Sequence, residues 1–223
     1  FTSANITDGT HTFRVLSVDN STNKDPSPAS FNWKVDTIAP TTIINSATDG
    51  NNSTITNSSS TKSNAVMFEF SGNDTGGVGI DHLECSLDGT SFSSCTSPVQ
   101  FTSANLLDGT HSFMVIAQDK VGNIMTTPVL FNWTVDTLPP TTAINTAIDG
   151  NNGTLVSGNS TMSTSMSFTF SGNDRGIENN GVGIKQIECS IDNSNFTACV
   201  SPIQYSNLTE GVHRLEVVSE DKV

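Results

Sequence analysis

The chain has 223 residues, with 9 basic against 22 acidic side chains, and its net charge of −13 excludes phosphate-backbone binding, which needs clustered Lys and Arg. Charged residues are only 14% and apolar residues 34%, so solubility rests on the abundant Ser, Thr and Asn, and the apolar content suits thin two-layer domains. No run approaches the ~20 apolar residues of a membrane span and no charged and apolar leader opens at Phe1, so neither a span nor an export signal is expected within the chain.

Self-comparison shows an internal repeat. FTSANITDGTHTF from Phe1 returns as FTSANLLDGTHSF from Phe101 and, shortened, as YSNLTEGVHRL from Tyr205, a period of about 100 residues. FNWKVDTIAPTT from Phe31 returns from Phe131, FEFSGND from Phe68 returns as FTFSGND from Phe168, and LECS from Leu83 returns as IECS from Ile187. A four-residue insertion after Arg175 and a two-residue loss before Leu208 belong in loops, which tolerate such changes. Thr/Pro segments after each VDT place linkers at Asp36 to Pro40 and Asp136 to Pro140. The expected domains are 1–36, the second half of one; 37–136, complete; and 137–223, lacking the counterpart of Gly122 to Asp136 and so its last strand. Because the opening residues read as mid-domain sequence, the chain is expected to be a segment of a longer polypeptide.

In chain order, the complete repeat predicts strands at Thr41–Ala47, Ala65–Ser71, Ile80–Leu87, Ser91–Cys95, Val99–Thr102, Thr110–Asp119 and Val129–Val135, between Gly, Asn, Asp and Pro clusters. No helical period appears. In Phe131-Asn132-Trp133-Thr134-Val135 the alternate residues Phe, Trp and Val share one face, so Trp133 and its counterpart Trp33 are read as core residues. The expected fold class is all-β, with tandem immunoglobulin-like antiparallel β-sandwiches of about seven strands each.

The order of Leu83 to Gly89, Cys95 to Pro98, Leu107 to Asn123 and Phe131 to Thr142 resembles the bacterial Ig-like repeats of large bacterial and archaeal surface proteins. The resemblance covers essentially the whole chain. It implies β-sandwich modules used as stalks or adhesive arms, sometimes stiffened by Ca²⁺ between modules, and no enzyme.

Cys85 and Cys95, and Cys189 and Cys199, bracket turns at equal spacing, which places each pair across a hairpin. A disulfide in each is the leading reading, against buried thiols or a metal that would want four ligands together. His11, His111 and His213 recur at one position after a Gly turn and read as structural. No nucleophile elbow, phosphate loop or paired general acid and base stands out. Asn5, Asn20, Asn51, Asn52, Asn57, Asn73, Asn132, Asn152, Asn159, Asn195 and Asn207 form N-x-S/T sequons and are candidate glycosylation sites, although a Ser/Thr/Asn-rich chain produces some by chance.

Among the acids, Asp36 and Asp136, Asp74 and Asp174, and Asp119 and Asp221 persist between repeats, whereas Asp81 becomes Lys185. They read either as turn caps or as Ca²⁺ ligands. Strand alternation brings the Asp36 linker, the Asp74 loop and the Asp119 loop to one pole. Carboxylates gathered there without Lys or Arg call for a hard cation, with Asn123 and backbone carbonyls completing its shell. Asp136, Asp174 and Asp221 repeat the set.

The resulting expectation is a structural segment of an extracellular cell-surface stalk, adhesin or fibre, with partners in neighbouring Ig-like modules of the same or adjacent chains. The rival is a carbohydrate- or receptor-binding module using loops 73–79 and 173–183.

Overall fold

The computed structural model describes residues 6–175 and 181–223, and those residues form strands and no helix. Strands β1 (Gly9–Val15) and β2 (Ala29–Val35) make an antiparallel hairpin with Phe13 opposite Phe31 and His11 opposite Trp33.

In the middle repeat, β3 (Thr41–Asp49), β5 (Val66–Asn73) and β8 (Val99–Phe101) form one sheet. The second sheet runs in the order β4 (Ser59–Thr61), β10 (Val129–Val135), β9 (Gly109–Asp119), β6 (Ile80–Leu87), β7 (Ser93–Cys95). The third repeat has β11 (Thr141–Asp149), β12 (Met166–Asn173) and β15 (Ile203–Tyr205) in one sheet. Its other sheet is β14 (Thr197–Ala198), β13 (Ile184–Ile191), β16 (Leu215–Asp221). These are the two layers of an immunoglobulin-like sandwich, in which β4 pairs parallel with β10.

The sheets face each other because each strand sends alternate residues inward. On β5 these are Val66, Phe68 and Phe70, and on β9 they are Phe113, Val115 and Ala117, all buried. The Phe68 and Phe113 rings stack at 4.4 Å, and Phe131 meets Phe68 edge-on at 5.2 Å.

The chain divides into two compact units, one of Phe1–Ala47, Met67–Gln100 and Ser112–Phe131, the other of Thr48–Val66, Phe101–His111 and Asn132–Val223. The first holds the phenylalanine cluster. The second holds Leu106, Val135 and Trp133, whose ring lies 5.4 Å from that of His111. Trp133 is 1% exposed, as its pattern predicts, but Trp33 in the hairpin is only half-buried.

Strand β4 was not expected. Ser59–Thr61 has no apolar alternation, and it becomes a strand by pairing Ser59 and Thr61 with Trp133 and Val135 on the outer edge of β10.

Both disulfides, Cys85–Cys95 and Cys189–Cys199, are present. The half-cystines are not directly opposite, as the turn spacing suggested: Cys85 faces Ser93 and Cys95 faces Leu83, so the bridge crosses the ladder diagonally. Cys189 likewise faces Thr197.

Candidate metal centre

Asp36 leaves the end of β2, Asp74 follows β5 and Asp119 ends β9. The three carboxylates each offer an oxygen within 4.8 Å of the others. Two oxygens about 2.4 Å from one Ca²⁺ lie at most ~4.8 Å apart, so this spacing fits a common cation.

Local hydrogen bonds aim each group. Asp36 Oδ2 accepts the Val78 amide at 2.8 Å and its Oδ1 the Ile38 amide at 3.2 Å. Asp74 Oδ2 accepts the Gly79 amide at 2.6 Å. A Cβ on Gly77 would collide with the Asp74 carboxylate, so any larger residue there would displace it. Asp119, 2% exposed, takes the amides of Val121, Gly122 and Asn123 on Oδ1 at 2.8 to 2.9 Å.

Asn123 donates its side-chain amide to Asp119 Oδ2 at 2.7 Å and to the Asp36 carbonyl at 3.1 Å. It therefore ties the β9 loop to the linker, a role distinct from the ligand role expected of it. Burial raises the Asp119 carboxyl, but the bonds from Asn123, Val121 and Gly122 outweigh it and hold the group below 3.8. Two cations stand nearby, contrary to expectation: Lys34 donates to the Gly77 carbonyl, and Lys120 Nζ would lie 3.7 Å from a Cβ on Gly79.

Asp136, Asp174 and Asp221 do not form such a group of three among the described residues. Asp136, 1% exposed, accepts the Val182 amide, and Asp174 Oδ2 accepts the adjacent Gly183 amide, so these two carboxylates repeat the Asp36 and Asp74 arrangement. Asp174 Oδ1 is buried and has no hydrogen-bond partner among the described residues. Asp221 Oδ1 accepts the Val223 amide, as Asp119 Oδ1 accepts that of Val121. The inserted residues 176–180 lie outside the described part, as does Asn5.

Several aspartates missed in the sequence do related work. Asp19 accepts the Ser21 and Asn23 amides and the Asn23 side chain, repeating the Asp119 cap in the first hairpin. Asp49 and Asp149 bind the amides of Asn51 and Ser53, or Asn151 and Gly153, and the hydroxyls of Thr61 or Thr161. Asp8 and Asp108 accept the amide and hydroxyl of Thr37 and Thr137 in the linkers. The signal was a repeated Asp with Asn or Thr at fixed offset. Turn capping thus accompanies the clustering at Asp119.

Of the sequons, Asn20, Asn51, Asn52, Asn57, Asn73, Asn152, Asn159, Asn195 and Asn207 are exposed. Asn132 is half-buried, and its amide donates to Asn57 Oδ1 at 2.7 Å.

The recurrent histidines are braces. His11, His111 and His213 each place Nε2 at 2.7 Å from the carbonyl four residues earlier, at Thr7, Leu107 and Thr209. His213 Nδ1 also lies 2.7 Å from Asp192 Oδ2. Only the imidazolium donates at both nitrogens. The Thr209 carbonyl and then Asp192 raise His213 above 6.5, and His213 lowers Asp192 below 3.8. This pair therefore stabilises fully below about 6.5 on the histidine side, with that contribution lost as pH rises through the raised value, and the aspartate part lost as pH falls through its lowered one. NMR titration of His213 is expected to give a value above 6.5 that falls in Asp192→Asn; an unchanged value would remove the brace.

No family model and no curated relative matches the chain. Among solved structures, the Clostridium thermocellum CbhA fibronectin(III)-like modules align at 14% identity over 82% of this chain and 86% of that one, with a TM-score of 0.36. Dimeric latent PorU from Porphyromonas gingivalis aligns at 13% identity over 97% of this chain and 21% of that one, with a TM-score of 0.32. At these scores neither likeness carries an argument, and the fold rests on the sheets and their packing.

Proposed function

We propose that the chain is a non-enzymatic structural repeat segment of an extracellular cell-surface stalk, adhesin or fibre of the bacterial Ig-like type. Its hairpins are stapled by disulfides and its linker is stiffened by Ca²⁺ at Asp36, Asp74 and Asp119. The observation that carries this is the recurrence of one linker device: Asp36 and Asp136 each grip an amide, Val78 or Val182, from the loop that follows the next repeat's second long strand. Such a device serves a load-bearing connection. The disulfides fit an oxidising compartment.

Loop 73–79 spends the Val78 amide on this grip and the Gly79 amide on its own Asp74, which supports a linker role over a glycan-binding one. Ca²⁺ would offset two of the three carboxylate charges and fix the 74–79 and 119–123 loops to the linker. Hydrogen exchange at Val78, Gly79, Val121 and Asn123 is then expected to slow by about tenfold in Ca²⁺ over chelator, a local stabilisation of ~1.4 kcal/mol. Equal exchange in both would count against the stiffening.

A further inference from the structure

We propose that Asn152 is a site of spontaneous deamidation, through attack by the Gly153 amide nitrogen, and that the Asp149 carboxylate is the lock that holds this reaction back in the folded chain. Asn152 is exposed, and its step to Gly153 is the one Asn-Gly step that lies wholly within the described residues. The residue after an asparagine decides how open it is to such attack, because a side chain there shields the attacking nitrogen and glycine has none. The turn itself does not demand glycine. The middle repeat builds the same turn with Ser53 at this place, and Gly153 does not adopt a positive φ.

One aspartate ties the turn in each repeat. The Asn152 amide donates to the Asp149 carbonyl at 2.9 Å, as Asn52 does to Asp49 at 3.0 Å, and the Asp149 amide donates back to the Gly153 carbonyl at 2.9 Å. Asp149 Oδ1 accepts the Gly153 amide at 2.7 Å and the Asn151 amide at 3.0 Å, while its Oδ2 accepts the Thr161 hydroxyl at 2.6 Å.

These bonds act on the nitrogen that must react. Attack requires the Gly153 N–H to lose its proton, and a carboxylate oxygen 2.7 Å away opposes a negative nitrogen beside it. The bonds from Thr161 and Gly153 also hold the Asp149 carboxyl below 3.8, so the lock is charged wherever the reaction runs. When the turn opens, hydroxide takes the amide proton, the nitrogen bonds to Asn152 Cγ and the Cγ–Nδ2 bond breaks, Nδ2 leaving as ammonia with a proton from water. Water then opens the cyclic imide at either carbonyl, leaving aspartate or isoaspartate and an added negative charge. The product erases the Asn152-Gly153-Thr154 sequon. The inference does not depend on calcium.

The test incubates the full chain in mildly alkaline buffer, with and without urea, and follows ammonia loss at Asn152 and Asn52 by peptide-mapping mass spectrometry. Cleavage after Arg175 separates the Asn152 peptide from Asn180-Gly181. Expected are faster loss at Asn152 than at Asn52, and a folded-state rate at Asn152 at least about tenfold below that in urea, where the turn is open. Asp149→Ser keeps a weaker, uncharged acceptor in the turn and should speed the folded-state reaction by about tenfold. Gly153→Ser, which matches the middle repeat, should slow it to the Asn52 rate. The urea comparison and Gly153→Ser leave Asp149 in place and decide the matter even where Asp149→Ser does not fold. Loss at Asn152 no faster than at Asn52, equal rates with and without urea, or an unchanged rate in folded Asp149→Ser would overturn the proposal.

Discussion

Phe113→Ala is expected to destabilise the middle repeat by ~3–5 kcal/mol, the range for deleting a fully buried aromatic side chain. Its ring is 0% exposed, stacks on Phe68 at 4.4 Å and lies 5.7 Å from Phe70, so its loss opens a cavity between the two sheets. The same substitution one repeat earlier is an internal control. Phe13 is 45% exposed on the hairpin, and Phe13→Ala is expected to cost less than ~1.5 kcal/mol because little apolar area is released. Urea melts of the two variants measure the difference; equal losses would mean that the sheet-to-sheet contact around Phe113 is not the core.

Replacing Cys85 and Cys95 together by Ser is expected to cost ~3 kcal/mol. The bridge spans 10 residues, and closing a loop of that length removes entropy from the unfolded chain by about this amount. The Cys189–Cys199 pair closes a loop of the same length and should behave alike. Because each bridge runs diagonally across a short ladder, its loss also releases β7 or β14, which pair only briefly with β6 or β13. Denaturant melts of each double variant test the magnitude. Four alkylatable thiols in the protein without reductant would contradict both bridges.

Much of this was legible in the sequence because its signals are local and periodic. Alternation in Phe131 to Val135 located β10 and its inward face, and the paired Cys spacing located two hairpins. Other features depend on partners far away in the chain. Ser59–Thr61 becomes a strand only against β10, and nothing in its own residues says so. The disulfide diagonal follows from the register of β6 and β7, which the spacing does not fix.

The candidate site divides in the same way. Recurrence singled out Asp36, Asp74 and Asp119, and strand direction brought them to one pole. It did not distinguish them from Asp136, Asp174 and Asp221, which recur at the matching positions. Asn123 as a tie between Asp119 and the linker carbonyl was likewise illegible, since its partner lies far earlier in the chain. The caps at Asp19, Asp49 and Asp149 were readable in principle, each with an Asn two or four residues on.

The most direct measurement is a calorimetric titration of the full chain with CaCl₂, run in parallel on Asp74→Asn, which keeps an acceptor for the Gly79 amide while removing a charge. A linker stiffened by calcium predicts one dominant site with a dissociation constant of about 0.1 to 1 mM, the range of extracellular modules, weakened at least about tenfold in the variant. No heat of binding, or Ca²⁺ uptake undiminished in Asp74→Asn, would contradict it and leave the three aspartates as turn caps.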